Sequence, residues 1–585
     1  MESMPVPATG REPTLAEDPA LGLSRRQKFE ILGAVMLALF LGALDQTVVS
    51  TAMPRILTDL DGSALYTWVI TIYLLTSTIT VPFYGKLSDL FGRKPLLLIG
   101  IGLFLAGSAL SGLSQNMEQL IVFRGLQGVG AGALFPISLA VIGDLFSPAE
   151  RGRYQGLFGA VFGLSFLLGP AVGGLLTDFV SWHWVFYVNL PIGLVSLVVI
   201  WRLLPTIRRT DATRTFDYLG GAIFTVAISF LLVGLTNKSG VSATGLANDW
   251  SEPTVGGFIL VALVLSAIFL VVESRAREPI VPLDLWRDRT YASSIVSTFL
   301  VSFGFFGAII FLPRWFQVVR GESATLSGYL LFPLLIGLIG SSIVSGILVS
   351  RTGRYKAIVL TGIATMAVGL VMMTQLDATT EYPALFAWMF VAGVGIGPTL
   401  SVFTIIVQNA VPFSKLGVAT SNLTFFRQIG GTVGLAIVGT IFGTSLQNRL
   451  PGELVASLPP ALQPGAQAAL GSGATLGVNP NDLTGVGQSF GEVVAGAVPQ
   501  LEPFIANLDA GFHQAMSLSI ADTFGIGIVT TLVAFGFALF MRELPLRSTT
   551  GAGAPVGPTA GSGAEPEAEA GEQAIPQLRQ SPATD

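Results

Sequence analysis

Two charged side chains lie inside long apolar segments of this sequence, where an ionised group is unfavourable. Asp45 is in the first such segment and Arg124 is in the fourth. A carboxylate in hydrocarbon is costly and is usually functional, either protonated or paired. A nearby cation favours the ionised carboxylate, whereas burial favours the neutral form. At about 1.5 Å per residue in a core about 30 Å thick, both residues fall in the same outer half. The pair predicts either a proton site, in which Arg124 controls the proton affinity of Asp45, or a static ion pair between two helices.

A charged turn between the second and third apolar segments is repeated later in the chain. It reads GKLSDLFGRK over residues 85–94, and a weaker copy, GILVSRTGRYK, occupies residues 346–356. Both copies keep two glycines and an arginine at the same spacing, but Ser350 replaces Asp89. Glycine permits close backbone approach and tight reversal, and a carboxylate can meet a helix N-terminus or an arginine. The repeat indicates two related halves that differ at this turn.

The fifth apolar segment carries an unusual set of small residues. At about 100° per residue, four of them fall on one helical face and two flank that face. Such a surface lets another helix pack closely and move against it, although ordinary small-residue packing is the alternative for the separate glycine pairs. The residues are Gly159, Gly163, Gly169, Pro170, Gly173 and Gly174.

The composition places these residues in a membrane protein. The 585 residues are 51% hydrophobic and only 11% charged, well below the charged fraction of soluble proteins. With no cysteine and two histidines, disulfides and thiolate chemistry are excluded and little remains for a metal site. The sequence therefore predicts no cofactor, no metal and no nucleic-acid partner. An enzyme is the least favoured class, because no nucleophile–base constellation is found.

Fourteen apolar segments are long enough to span a bilayer as helices. Lys and Arg residues concentrate in alternate loops, and this positive-inside pattern predicts that both termini are cytoplasmic. The fold class expected is therefore all-α and integral to the membrane. The predicted spans are 29–52, 65–84, 95–114, 119–141, 154–177, 184–204, 217–236, 254–273, 291–312, 326–349, 357–376, 383–408, 422–444 and 519–541.

The two copies of the charged turn follow the second and the tenth span, eight spans apart. We interpret this as two six-helix bundles with two inserted helices between them, the parallel-repeat arrangement found in transporters. The expected parts are a cytoplasmic tail at 1–28, a first bundle at 29–204, linkers with the inserted helices at 205–289, a second bundle at 290–541 that includes an external loop at 445–517, and a disordered cytoplasmic tail at 542–585. Within that loop, residues 492–498 and 504–516 are candidates for short surface helices.

With these motifs, the chain resembles the major facilitator superfamily, and within it the fourteen-helix drug:proton antiporters. The resemblance extends from about Leu44 to Ala436. It implies a conformational latch between the bundles, proton coupling by Asp45 and Arg124, and an antiporter motif in the fifth span. It also implies that Trp68 and Tyr73 either line a substrate cavity or serve as interfacial and packing residues. The residues that match the latch signature are Gly85, Asp89, Gly92 and Arg93.

Two further ionisable residues have competing interpretations. His183 stands between Trp182 and Trp184, which favours a residue of the interfacial aromatic belt over a proton carrier. Arg427 could bind an anionic group, but its place toward the cytoplasmic end of its span favours a snorkelling or packing role.

The sequence therefore predicts a monomeric, proton-coupled multidrug exporter of the cytoplasmic membrane. Its partners would be protons, the lipid bilayer and small amphipathic, often cationic, organic compounds bound in an aromatic-lined cavity. One alternative is a dedicated exporter of one endogenous product such as a lipid, an antibiotic or a siderophore. Another is a membrane receptor or scaffold that transports nothing.

Overall fold

The computed structural model describes residues 23–60, 65–205, 217–239, 248–470, 491–492, 494 and 499–546. No strand occurs in these ranges. The α-helices are α1 (Arg25–Leu60), α2 (Tyr66–Phe91), α3 (Arg93–Ser111), α4 (Met117–Leu145), α5 (Pro148–Phe179), α6 (Trp184–Tyr187), α7 (Asn189–Leu203), α8 (Tyr218–Ser239), α9 (Phe258–Glu273), α10 (Arg289–Val318), α11 (Ala324–Tyr329), α12 (Phe332–Thr352), α13 (Lys356–Met373), α14 (Tyr382–Ala410), α15 (Leu416–Ser457), α16 (Gln463–Leu470) and α17 (Ile505–Leu539).

The described ranges contain fourteen helical stretches that are long and apolar enough to cross a membrane. Two of them are composite, because α6 with α7 forms the sixth span and α11 with α12 forms the tenth. A helix pairs its own backbone N–H and C=O groups, for which the hydrocarbon of a membrane offers no hydrogen-bond partners. The all-α membrane architecture predicted from the sequence is therefore confirmed.

We call α1–α7 the first half and α10–α17 the second half. In the first half, α1 packs on α5, α4 and α7, and α4 packs on α2 and α3. In the second half, α14 packs on α12 and α13, and α10 packs on α15 and α17. The halves meet along a seam formed by α5 against α12 and by α2 against α15. The inserted helices α8 and α9 pack on each other, and α8 also contacts α2 and α15.

Both copies of the charged turn contain a glycine with a positive φ. Gly92 ends α2 with φ of 97°, and Gly353 ends α12 with φ of 69°. This backbone region is accessible to glycine at little cost. The repeated glycine therefore has the same role in both halves, which is to reverse the chain between consecutive spans. We call the surface that carries this turn the Arg93 side and the opposite surface the Arg55 side.

The Arg55 side differs from expectation at the predicted loop 445–517. The helix α15 continues through Ser457, and α17 already begins at Ile505. Residues 504–516, expected as a separate surface helix, therefore belong to the last long helix, and α16 adds a further helical segment. Residues 492–498 and the middle of the predicted loop lie largely outside the described residues. The helices extend beyond the apolar segments because neighbouring polar residues continue the same hydrogen-bonding pattern.

The predicted tails also have different boundaries. Helix α1 begins at Arg25, before the expected end of the first tail at residue 28. Near the other terminus, Leu544 N donates a hydrogen bond to Tyr355 Oη at 2.5 Å, so the start of the predicted tail is attached to the second half. Residues 547–585, predicted to be disordered, lie outside the described residues.

The segment that joins α9 to α10 is held against both halves. Lys86 of α2 forms an ion pair with Glu278 at 2.5 Å, and Lys415 forms one with Asp284. The first of the two predicted linkers, near residues 206–216, lies outside the described residues. The second linker is therefore a structured connection at the seam.

Candidate functional site

The structure brings Asp45 and Arg124 into direct contact. Arg124 Nη1 donates to Asp45 Oδ2 at 2.6 Å. The Asp45 side chain is 0% exposed and the Arg124 side chain is 2% exposed. Removing either partner from such a pair would leave an uncompensated buried charge, which is strongly unfavourable. The contact joins α1 to α4 inside the first half.

Three further polar residues complete the cluster, and sequence reasoning gave none of them a role. Gln127 Nε2 donates to Asp45 Oδ1 at 2.7 Å and its Oε1 accepts from Arg124 at 2.8 Å. Asn189 Nδ2 donates to Asp45 Oδ1 at 2.9 Å and to Ser108 Oγ at 3.0 Å. The sequence signal that could have identified Gln127 and Asn189 is a polar residue inside an apolar span. Gln127 is one helical turn from Arg124, and Asn189 begins α7.

Tyr73 belongs to the same cluster. Its ring centroid lies 4.1 Å from the guanidinium carbon of Arg124, a distance at which the cation is attracted to the ring face. Tyr73 is 1% exposed, so it packs against the ion pair and does not line an open cavity in this conformation. Trp68 is roughly 7–8 Å further along α2 by helical rise, is half-buried, and lies outside the cluster.

The cluster has a defined chemical capacity. Asp45 accepts from three donors, those of Arg124, Gln127 and Asn189. Two other atoms of the cluster, Arg124 Nε and Asn189 Oδ1, are buried without a hydrogen-bond partner among the described residues. A proton on Asp45 would weaken its contact with Arg124. The guanidinium of Arg124 and the amide of Asn189 then have unused atoms with which to form other hydrogen bonds.

The latch predicted at the charged turn is a contact between the halves. Asp89 Oδ2 accepts from Val418 N at 2.8 Å, and Oδ1 accepts from Gly417 N at 3.1 Å. Gly417 and Val418 are in the first turn of α15, where backbone N–H groups are unpaired and the helix dipole is positive. The carboxylate of the first half thus caps a helix of the second half.

Arg93 fixes the carboxylate that makes this contact. It pairs with Asp89 at 2.5 Å and with Asp144 of α4 at 3.0 Å, and it donates to Ser88 Oγ at 2.7 Å. A Cβ at Gly417 would overlap both Asp89 and Arg93. Gly85 faces Ser421 of α15 with no room for a side chain. The predicted latch residues therefore meet α15, with Gly92 supplying the turn.

The second copy of the turn makes a weaker contact. Ser350 Oγ accepts from Arg153 N at 3.0 Å, near the start of α5. This position corresponds to Asp89 by spacing, but the acceptor is a neutral hydroxyl. Charge-assisted hydrogen bonds are roughly twice as strong as neutral ones. The two related contacts across the seam are therefore unequal.

The small residues of α5 pack against both halves. Gly159 and Gly163 face α12, where a Cβ would meet Ser342 and Ile339. Gly174 and Pro170 face α11, where they lie against Thr325 and Gly328. Gly169 and Gly173 face α1 instead, where a Cβ would meet Thr47 and Val48. One face of α5 therefore forms the seam, and the flanking face contacts the helix that carries Asp45.

His183 is outside this cluster. Its ring stacks on Trp182 with centroids 3.7 Å apart, and Nδ1 is 2.7 Å from Ser181 Oγ. Burial lowers the pKa of His183, and the nearby Asp59 opposes that shift in part. The ring is therefore neutral at pH 7 and packs in an aromatic group, in accordance with the preferred interpretation.

The position of Arg427 agrees with the packing role that the sequence favoured and not with the snorkelling alternative. It is 9% exposed and its guanidinium carbon lies 5.8 Å from the ring centroid of Phe158, in the first half. The side chain therefore points into the seam and does not reach a membrane surface.

Comparison with known proteins agrees with these features. A family model of the Major Facilitator Superfamily matches residues 35–435. The chain is 36% identical over 520 residues to the multidrug transporter protein MdtP of Bacillus subtilis (strain 168), covering 88% of this chain and 93% of that protein. It is 34% identical over 523 residues to multidrug resistance protein 3 of the same organism, covering 89% and 96%. The crystal structure of the human organic anion transporter MFSD10 (TETRAN) has a TM-score of 0.53 with 15% identity over 71% of this chain and 94% of that one, a likeness of fold. The chain is therefore a multi-pass membrane transporter that belongs to the Major Facilitator Superfamily.

Proposed function

We propose that this transporter is a proton-coupled antiporter that exports amphipathic organic compounds across the cytoplasmic membrane by alternating access. The Arg93 side carries the concentrated Lys and Arg residues of the loops, so we assign it to the cytoplasm. Both termini then lie in the cytoplasm. A monomer suffices for this function, because the seam lies within one chain.

The observation that carries the proposal is the buried contact between Asp45 and Arg124. In the ionised state, Asp45 holds the guanidinium through a hydrogen bond and its charge. A proton arriving from the Arg55 side neutralises the carboxylate and weakens both interactions. Arg124 and the Asn189 amide then take other partners, and α1, α4 and α7 shift relative to one another. Release of the proton toward the cytoplasm restores the pair.

The second part of the proposal is that the halves rock along the seam. The described polar contacts between the halves near the Arg93 side include Asp89 with the start of α15, and Gln155 Nε2 with Gln408 Oε1 at 2.6 Å. These contacts keep the cytoplasmic side closed in this conformation. The small residues of α5 let α12 move past without side-chain obstruction, so proton release and cytoplasmic opening can alternate.

The breadth of substrates is also a proposal. The names of the two bacterial relatives, a multidrug transporter and a multidrug resistance protein, favour several unrelated compounds over one endogenous product. Transport of several unrelated dyes by the purified protein would support multidrug export. Transport of a single compound class would favour a dedicated exporter.

The test is dye–proton exchange in proteoliposomes with an imposed pH gradient. Asp45→Asn removes the titratable group and should abolish gradient-driven dye movement. Asp59→Asn is the matched control, because Asp59 lies on the same helix at the Arg55 end, outside the Asp45 cluster, where it pairs with Arg55 at 3.3 Å. It should retain exchange. Undiminished dye–proton exchange by the Asp45→Asn protein would refute the proposed role.

A further inference from the structure

Arg427 is a buried cation at the place where the two halves meet. By helical rise it lies roughly 16 Å from the first residue of α15 and roughly 8 Å inside the start of the predicted span 422–444. Its guanidinium faces Phe158 of α5 across the seam. The positive charge is therefore buried inside the protein and adjacent to both halves.

The guanidinium has no carboxylate partner among the described residues. Its one described hydrogen bond goes from Nη2 to the carbonyl oxygen of Leu400 at 3.4 Å. By contrast, the buried Arg93 and Arg124 each form an ion pair with an aspartate. Removing an ion from water costs several kcal/mol unless a counter-charge and hydrogen bonds compensate. Arg427 lacks that compensation in this conformation.

The surrounding helices hold no acid near it. The residues that border Arg427 and its cavity come from α5, α10, α14 and α15. Neither α10 nor α14 contains an Asp or Glu residue, and the acids of the other two are Glu150, Asp178 and Glu453, all within the first or last turns of their helices. Asp45 already accepts from three donors of its own cluster. The protein therefore has no obvious internal anion to offer Arg427 from these helices.

Polar and apolar groups surround a small cavity beside the guanidinium. It has a volume of about 10 Å³, and the residues that line it include Arg427, Thr298, Ser302, Thr399 and Phe305. Such a volume holds about one water molecule, so the site is contracted in this conformation. Thr298 Oγ1 is buried without a hydrogen-bond partner among the described residues, and Thr298 is 3% exposed. An unused hydroxyl and an uncompensated cation thus border the same space.

We propose that Arg427 binds the anionic headgroup, a carboxylate or sulfonate, of an amphipathic organic acid exported by this protein. The planar guanidinium can make two parallel hydrogen bonds to such a group, and the hydroxyl of Thr298 adds a donor. Phe158 and Phe305 provide apolar surface for the body of the compound. This inference rests on the proposed export function and specifies the charge of its substrate. It differs from the cationic substrates that the sequence predicts.

The experiment uses two probes that differ in charge and share their apolar part. Pyrenebutyrate and pyrenebutanol have the same ring and chain, and the first is an anion at pH 7. Binding to the purified full-length protein is measured by pyrene fluorescence, and gradient-driven transport is measured in proteoliposomes. We expect pyrenebutyrate to bind at least about tenfold more tightly than pyrenebutanol, as a charge-assisted hydrogen bond permits.

Three variants locate the effect. Arg427→Gln should remove the preference for pyrenebutyrate and leave pyrenebutanol binding within about twofold. Arg427→Lys should keep part of the preference, because the charge remains. Arg449→Gln is the control on the same helix, since Arg449 is already paired with Asp522 at 2.9 Å, and it should keep the full preference.

Several outcomes would overturn the inference. One is equal affinity of the unmodified protein for the two probes. Another is an equal loss of affinity for both probes in Arg427→Gln, which is the result expected of a purely structural residue. If chloride is the occupant, chloride in place of gluconate would raise the melting temperature of the unmodified protein while pyrenebutyrate would not. Gradient-driven export of pyrenebutanol without a charge preference would contradict only this inference. Charge-selective binding without gradient-driven transport would contradict the proposed export function instead.

Discussion

Asp89 and Val418 are joined by a 2.8 Å hydrogen bond from the backbone N–H of Val418 to Oδ2 of Asp89. The acceptor lies in the last turn of α2 and the donor in the first turn of α15, so the bond crosses the seam between the halves. An anion at a helix N-terminus is stabilised by unpaired N–H groups and by the helix dipole. This contact is the charged member of an unequal pair, since Ser350 stands at the related position.

Replacing Asp89 should open the Arg93 side. Asp89→Asn removes the charge while keeping the shape, and we expect the closed conformation to lose about 1.5–3 kcal/mol, as for hydrogen bonds to charged groups. The closed population should fall at least about tenfold relative to the open one. Because the chain contains no cysteine, spin labels at Phe91→Cys and Pro412→Cys report the distance between α2 and the start of α15 without background labelling.

The related hydroxyl provides the matched control for the latch. Ser350→Ala removes a neutral hydrogen bond, worth about 0.5–1.5 kcal/mol, and should shift the same distance distribution much less. Equal shifts in the two variants would show that the latch is symmetrical, contrary to the unequal contacts described above.

Adding bulk to the seam should block the conformational cycle. Gly159→Leu places a side chain where Ser342 of α12 already lies, and overpacking of this kind costs about 1–3 kcal/mol. We expect dye transport in proteoliposomes to fall at least about tenfold, with membrane insertion retained. The measurement is the initial rate per mole of reconstituted protein.

A second glycine separates this effect from a general intolerance of larger residues. Gly340 lies on α12, and a Cβ there would meet nothing within 4 Å. Gly340→Leu should transport at close to the unmodified rate. A comparable loss in both variants would mean that the contact between α5 and α12 does not limit the cycle.

His183 should be dispensable for proton coupling. Burial lowers its pKa, so the ring is already neutral above the ordinary histidine pKa of about 6.5 and does not titrate between pH 7 and 8. His183→Gln should therefore leave the pH dependence of transport unchanged across that interval, with at most a small loss of stability from the lost stacking on Trp182. A shift in the pH profile would identify His183 as a proton carrier and weaken the case for Asp45.

The sequence by itself determined the number of spans and the location of the chemistry. Hydropathy and helix length are local properties, so fourteen apolar segments predicted fourteen spans. The cost of an ion in hydrocarbon identified Asp45 and Arg124 as a pair, and helical rise placed them at similar depth. The repeated glycines predicted the reversals at Gly92 and Gly353, because few other residues adopt that conformation.

Only the tertiary structure decided which residues meet. Gln127, Asn189 and Ser108 complete the Asp45 cluster because α3, α4 and α7 have specific rotations about their axes, which periodicity leaves undetermined. The rotation of α5 directs Gly159 toward α12 and Gly169 toward α1. The structure also turned Arg427 into the seam, where no described carboxylate accompanies it. Span prediction depends on how each segment interacts with lipid, whereas these contacts depend on how helices distant in sequence pack together.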